Sequence, residues 1–466
     1  MLFSSVTFLF VFLPAVIIGY YLLPKNFRNF FLLLASIIFY GFGEPKYLIL
    51  MLAVILINYV GTLLLHKFDK YKKLFLFLTI ITDIGFLAYF KYVDFLIESF
   101  NAIFKTHADI LHIALPLGIS FYIFQAISYT ADVYKGQIKP QTSLYKLALY
   151  ITLFPQLIAG PIVKYHDIAN QIDDRQESVD LFYYGLRRFI IGLTRKVIIA
   201  NTLGLVVDRV IALDVTQITV WQAQICTVCY AFQIYNDFAG YADMAVGLCA
   251  MFGFKIKENF NYPFISQSYT EFWHRWHISL GTWVKEYIYI PMGGNRCHPV
   301  RHYFNLFSAF FIIGIWHGAD ANMVMLGLYN AVLVIAEKLT GWSNKTTNKI
   351  SSVLHYLYMV PVLSVSYFFL RSPDFSYSMQ FLKRWAGFGA AHESNYTFSY
   401  FMDGFDVFIF IIAVFGAFGF FDKIWRLLEK NRFTRVACDI CFIFLLVLTF
   451  SFIACSTYNP FIYFRF

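Results

Sequence analysis

The sequence predicts an all-α, polytopic transmembrane helix bundle of roughly 10–12 spans, with re-entrant or interfacial helices around a central cavity. Three observations predict it. Hydrophobic residues make up 59% of the 466 positions and charged residues 14%, where a soluble domain carries roughly 25%. Ser5–Leu23, Tyr47–Leu65 and Val436–Ala454 each run about 20 residues with almost no charge, enough to cross ~30 Å of hydrocarbon. Aromatic residues reach 21%, with 55 Phe and 33 Tyr, which suits lipid-facing packing and interfacial belts.

Taken in order, the first segment lacks the basic flank and small-residue cleavage pattern of a secretory signal and reads as a retained span. Spans follow near 27–43, 46–65 and 74–97. Lys25 and Arg28, the run His66–Lys73, and the group Lys423, Arg426, Lys430, Arg432 and Arg435 are the basic clusters. Basic loops stay cytoplasmic, so the N-terminus is expected outside, as is the C-terminus after a last span at 436–456. Residues 181–212 mix Arg187, Arg188, Arg195 and Lys196 with apolar positions, the pattern of a partly submerged amphipathic helix. Residues 255–302 are basic, aromatic and broken by Pro263, Pro291, Gly293 and Gly294, and read as re-entrant or cytoplasm-facing. Irregular backbone at membrane depth requires protein or water around it, which places a cavity there. An extracytoplasmic loop is expected over 372–404, within one integral membrane domain covering 1–466.

The net charge of +9 fits basic loops better than nucleic-acid binding. Seven cysteines without a regular spacing give no disulfide framework. The pairs Cys226/Cys229 and Cys438/Cys441 lie in apolar stretches and read as buried free thiols.

Polar groups inside apolar segments are costly, so they mark candidate sites. His317 closes an apolar run and is followed by Gly318 and Asp320. An imidazole with a pKa near ~6.5 exchanges protons at cellular pH, and Asp320 is placed to orient the ring. A hydrogen-bonded packing histidine is the alternative. His274 and His277 lie three apart, but no carboxylate completes a zinc pattern, so no metal site is expected. Arg275, Lys285 and Arg296 offer charge for a phosphorylated or nucleotide-bearing donor, and Trp276, Trp283 and Trp316 offer flat surfaces, with Ser279 and Asn295 as further polar contacts. An interfacial Trp/Tyr/Arg belt explains the same composition. Asp237 and Asp243 need partners, either cations in a transporter or Arg and His across helices. No GxSxG, P-loop or GxGxxG pattern occurs, leaving acid–base chemistry, carrier work or both.

At these clusters the sequence resembles the membrane-bound O-acyltransferase family, and within it the alginate O-acetyltransferase-like bacterial branch. The resemblance is carried by Met1-Leu-Phe-Ser-Ser5, Leu115-Pro-Leu-Gly-Ile-Ser-Phe-Tyr122 with Asp132-Val-Tyr134, and Phe154-Pro-Gln-Leu-Ile-Ala-Gly-Pro-Ile162. It continues through Tyr235-Asn-Asp-Phe-Ala-Gly-Tyr-Ala-Asp-Met244, Arg275-Trp-His-Ile-Ser-Leu280, Tyr289-Ile-Pro-Met-Gly-Gly-Asn-Arg296, Trp316-His-Gly318 and Asn459-Pro-Phe-Ile-Tyr-Phe464. It implies that His317 is the family's signature histidine and His277 a second functional one. It also implies a ring of spans around a thinned centre, where a cytoplasmic donor meets an acceptor from the opposite face.

Tyr289–Arg296 resembles the alginate-type branch more than the D-alanyl-transferring relatives, which implies acetyl as the group transferred, acetyl-CoA as the donor substrate and no permanently bound cofactor. A separate extracytoplasmic partner of the SGNH-hydrolase type is implied, with a polysaccharide or peptidoglycan as final acceptor, in the bacterial inner membrane. On this basis neutral His317 is expected to act as general base, and His277 to orient the donor or stabilise the oxyanion. A transporter of an acyl donor or glycan and a non-catalytic assembly subunit are the competing readings.

Overall fold

The computed structural model describes residues 1–318, 320–343, 348–389, 396–428, 431–456 and 458. Lys430 and the closing motif 459–464 lie outside the described residues. Every regular element among the described residues is helical. The chain divides into two compact units, one of residues 1–189 with 244–257, the other of residues 190–243 with 258–466.

Seven described helices are long and apolar enough to cross a membrane, or eight if the bent pair Gly404–Ala417 and Phe420–Leu428 counts as one span. This all-helical architecture agrees with the predicted fold class. The expected 10–12 spans include segments that fold as shorter helices. The opening apolar segment gives only the short helix Phe8–Leu22, and the Ile119–Tyr134 helix has 16 residues, nearly all buried. The spans expected near 27–43, 46–65, 74–97 and 436–456 appear as Lys25–Gly43, Leu48–Lys67, Lys72–Phe104 and Arg432–Cys455.

In the first unit, a polar cluster ties three helices together inside the apolar packing. Asn58 Nδ2 donates to both Asp83 oxygens at 3.0 Å, and Thr130 Oγ1 donates to Asn58 Oδ1 at 2.6 Å. Each member satisfies another, as buried polar groups must. Gly61 is required where two of these helices meet, since a Cβ there would stand 2.2 Å from Thr79 Oγ1.

The segment expected as an amphipathic helix forms part of a continuous helix from Val179 to Ile211, with a π-helical turn at Arg195–Ala200, and its residues from Ile190 onward belong to the second unit. Two of the four charges that suggested an interface, Arg195 and Lys196, are turned inward. Arg195 pairs with Asp243 and Lys196 with Asp237, each at 2.8 Å. Gly240, on the helix Val220–Met251, lets that helix touch this one, because a Cβ there would stand 2.8 Å from Gly192 O. Cys226, Cys229 and Cys438 are buried free thiols, but Cys441 is exposed. Within 372–404 the described residues form the helices Phe375–Trp385 and Phe398–Phe401.

Candidate active site

The second unit holds a small aromatic-walled cavity of about 50 Å³ that opens to solvent. Phe238, Tyr269, Phe272, Trp273 and Trp276 supply much of its wall, and Asp237, His317, Asn330, Ser366 and Tyr367 its polar groups. Mostly apolar walls with a few convergent polar groups are the usual make-up of a small-molecule site.

His317 reaches this cavity from the last turn of the Pro299–His317 helix. Helix packing fixes that turn. A Cβ on Gly314 would stand 2.5 Å from Gly327 Cα, so this helix and Ala321–Thr340 meet backbone to backbone one turn before the histidine. Gly318 ends the first helix and Asp320 starts the second, its Oδ1 accepting the Met323 N–H at 3.0 Å. Asp320 is therefore the N-cap of that helix.

His277 stands between the helices Tyr269–Arg275 and Ile278–Val284, and its backbone is left-handed at φ 46°, ψ 53°. A non-glycine residue there costs about 1–3 kcal/mol and persists only where its surroundings hold it. The holding group is Asn259. Its Oδ1 accepts from Ser279 N at 3.1 Å and Ser279 Oγ at 2.9 Å, and lies 3.2 Å from His277 Nδ1. His277 is 1% exposed, and its Nε2 has no hydrogen-bond partner among the described residues. Burial first, and then the facing His317, hold its pKa well below the ordinary histidine value. Trp316 joins the two imidazoles, its ring centroid 5.9 Å from His277 and 5.0 Å from His317.

The remaining sequence candidates separate. Trp276 is buried, lines the cavity and stacks on Phe272. Arg275 is tied to Glu271 at 2.9 Å and to Asn261 O at 3.1 Å, a local brace. Ser279 serves Asn259. Trp283 is buried against Tyr287 and is not part of the cavity wall. Asn295 and Arg296 are exposed in the turn after the π-helical segment and do not line the cavity. Asp237 lines it as half of a buried ion pair, while Asp243 is held by Arg195 away from it. His274 and His277 share no helix face, since His274 is exposed and His277 lies past the helix end.

Sequence reasoning missed a second polar cluster, of which Tyr269, Asn330 and Ser366 line the cavity. Buried Glu337 accepts the N–H groups of Tyr269 and Thr270 at 2.6 and 2.7 Å, capping the helix that leads to His277. Tyr269 Oη donates to Asn330 Oδ1 and meets Ser366 Oγ at 2.8 Å. Only the polarity of Asn330 and Glu337 within an apolar helix signalled them.

Residues 139–380 match the membrane-bound O-acyltransferase family. The chain is 41% identical over 371 residues to a protein named as a probable alginate O-acetylase from Pseudomonas syringae pv. tomato, covering 77% of this chain and 71% of that one. Its counterpart of the same name from Pseudomonas aeruginosa is 39% identical with the same coverage. A peptidoglycan O-acetyltransferase from Helicobacter pylori is 35% identical over 424 residues, 83% of this chain and 80% of that one.

Proposed function

Because the chain belongs to the membrane-bound O-acyltransferase family, on its alginate O-acetylase-like branch, and is an O-acyltransferase with multiple membrane helices, we propose that it transfers an acetyl group from a cytoplasmic thioester, acetyl-CoA, across the inner membrane. The acceptor is a hydroxyl presented from the opposite face by a separate SGNH-hydrolase-like protein. That partner decorates a polysaccharide of the alginate kind or peptidoglycan, the polymers in the names of the relatives.

The reaction is an acyl exchange that balances without a redox partner. Neutral His317 takes the proton of the acceptor hydroxyl as its oxygen attacks the thioester carbonyl. The C–S bond breaks, the thiolate leaves, and the proton on His317 returns to it. General-base help of this kind typically contributes ~10²–10⁴-fold. Of the two roles expected of His277, orienting the donor suits a buried ring held by Asn259 and set one tryptophan ring from His317. The aromatic wall supplies a dry slot that strengthens both interactions.

The observation that carries this reading is His317 lining an aromatic cavity with His277 one tryptophan ring away. The transporter reading loses its sequence support, because Asp237 and Asp243 are engaged by Lys196 and Arg195. Transfer of label from acetyl-CoA to a purified partner, compared across wild type, His317→Ala and His277→Ala, tests the proposal. Loss of transfer in a normally inserted His317→Ala protein supports it. Retained transfer points to an assembly role.

A further inference from the structure

Asn259 belongs to none of the motifs that marked the site, yet it is 1% exposed and central to the geometry of His277. The stretch 259–261 runs beside 275–278, with Asn261 N donating to Arg275 O and Ile278 N donating to Asn259 O, both at 2.9 Å. Between these two bonds the chain turns through the left-handed His277. The Asn259 side chain then closes the turn.

The orientation of that side-chain amide is dictated by a donor that cannot change. Ser279 N–H is a backbone donor and points at the Asn259 atom 3.1 Å away, so that atom is the carbonyl oxygen and not the NH₂ group. The same oxygen faces His277 Nδ1. Two acceptors cannot share a hydrogen bond, so Nδ1 carries the proton, and in a neutral imidazole Nε2 is then the bare nitrogen. Nε2 is buried with no hydrogen-bond partner among the described residues, and the His277 ring packs against Phe238 at 4.7 Å and Trp316 at 5.9 Å between ring centroids. Beyond Trp316, the titratable group whose charge reaches this ring is His317.

We propose that Asn259 is a positioning residue that locks His277 in its Nδ1–H tautomer, so that Nε2 is held ready to accept a hydrogen bond from the substrate. This rests on the reading of His277 as a participant in transfer. An amide oxygen suits the task better than a carboxylate. It fixes ring and tautomer alike without adding a charge to a buried aromatic pocket.

The test uses the full-length protein with ¹⁵N-labelled histidine, the His277 ring signals being identified by their absence in His277→Gln. Wild type should show a protonated Nδ1 and a bare Nε2 at neutral pH. Asn259→Ala should mix the tautomers and lower kcat by about 10–100-fold, the range for removing a residue that orients a histidine ring, with little change in KM. Asn259→Asp should keep the Nδ1–H form and shift the acidic limb of the pH profile upward. An Nε2–H tautomer in wild type overturns the proposal whether or not any variant folds. So does an unchanged Nδ1–H signal in folded Asn259→Ala. Normal transfer by His277→Ala removes the participant role of His277 and with it the proposal, while the wild-type tautomer separately tests the geometry.

Discussion

Substituting Gly314 by alanine tests how His317 is held without touching the histidine. The new Cβ would stand 2.5 Å from Gly327 Cα and 2.6 Å from Met323 O, where ordinary contacts lie at 3.4–4 Å. Both obstacles are backbone, so neither can rotate away. The helices must part by about 1 Å at their crossing, an overpacking that costs about 1–3 kcal/mol. His317 follows less than one turn later on the same rigid helix, so its ring moves by a similar amount. A misplacement of about 1 Å at a reacting group costs on the order of 10²-fold in rate. The assay pairs thermal unfolding in detergent with acetyl transfer from labelled acetyl-CoA. Gly85→Ala is the control, since nothing lies within 4 Å of a Cβ there. Gly314→Ala with wild-type melting and wild-type rate refutes the claim that this crossing positions the site.

Three further outcomes are expected. Lys196→Met should destabilise the protein by about 3–5 kcal/mol, because it strands the buried Asp237 carboxylate. The double variant with Asp237→Leu should recover much of the loss in the same melting assay. Glu337→Ala should cost about 2 kcal/mol by uncapping the helix that precedes His277, and should lower transfer along with stability. The lowered pKa of His277 means that below pH ~6.5 the unfolded chain binds a proton the folded protein refuses. Its contribution to stability is therefore complete above that pH and lost as the pH falls from there toward the folded pKa, and His277→Gln should flatten the acid-side decline in melting temperature.

The membrane architecture was legible because span length and charge depletion are local properties of the sequence. Lys25–Gly43, Leu48–Lys67 and the last span were found within a few residues of their ends. His317 and His277 stood out as polar groups beside apolar helices, and the fold brings both rings against Trp316. What the sequence hid depends on pairing across the chain. Arg195 and Lys196 looked interfacial because their partners, Asp243 and Asp237, lie some 40 residues on, in a different helix. Asn259 reaches His277 only because the chain turns left-handed there, and no periodicity encodes a distance of 18 residues through such a turn. Arg296 and Asn295 were chosen for charge and polarity, which do not distinguish an exposed turn from a cavity wall. Gly314 and Gly327 gave no signal alone, since a glycine's value lies in what it lets approach.

The most direct measurement of the central claim is single-turnover breakdown of labelled acetyl-CoA by purified protein with its acceptor partner present, wild type against His317→Ala. Wild type should release free CoA thiol and form acetylated partner together, with His317→Ala slowed by about 10²–10⁴-fold while still binding the donor. Equal rates in the two proteins would contradict His317 as the base of an acyl transfer.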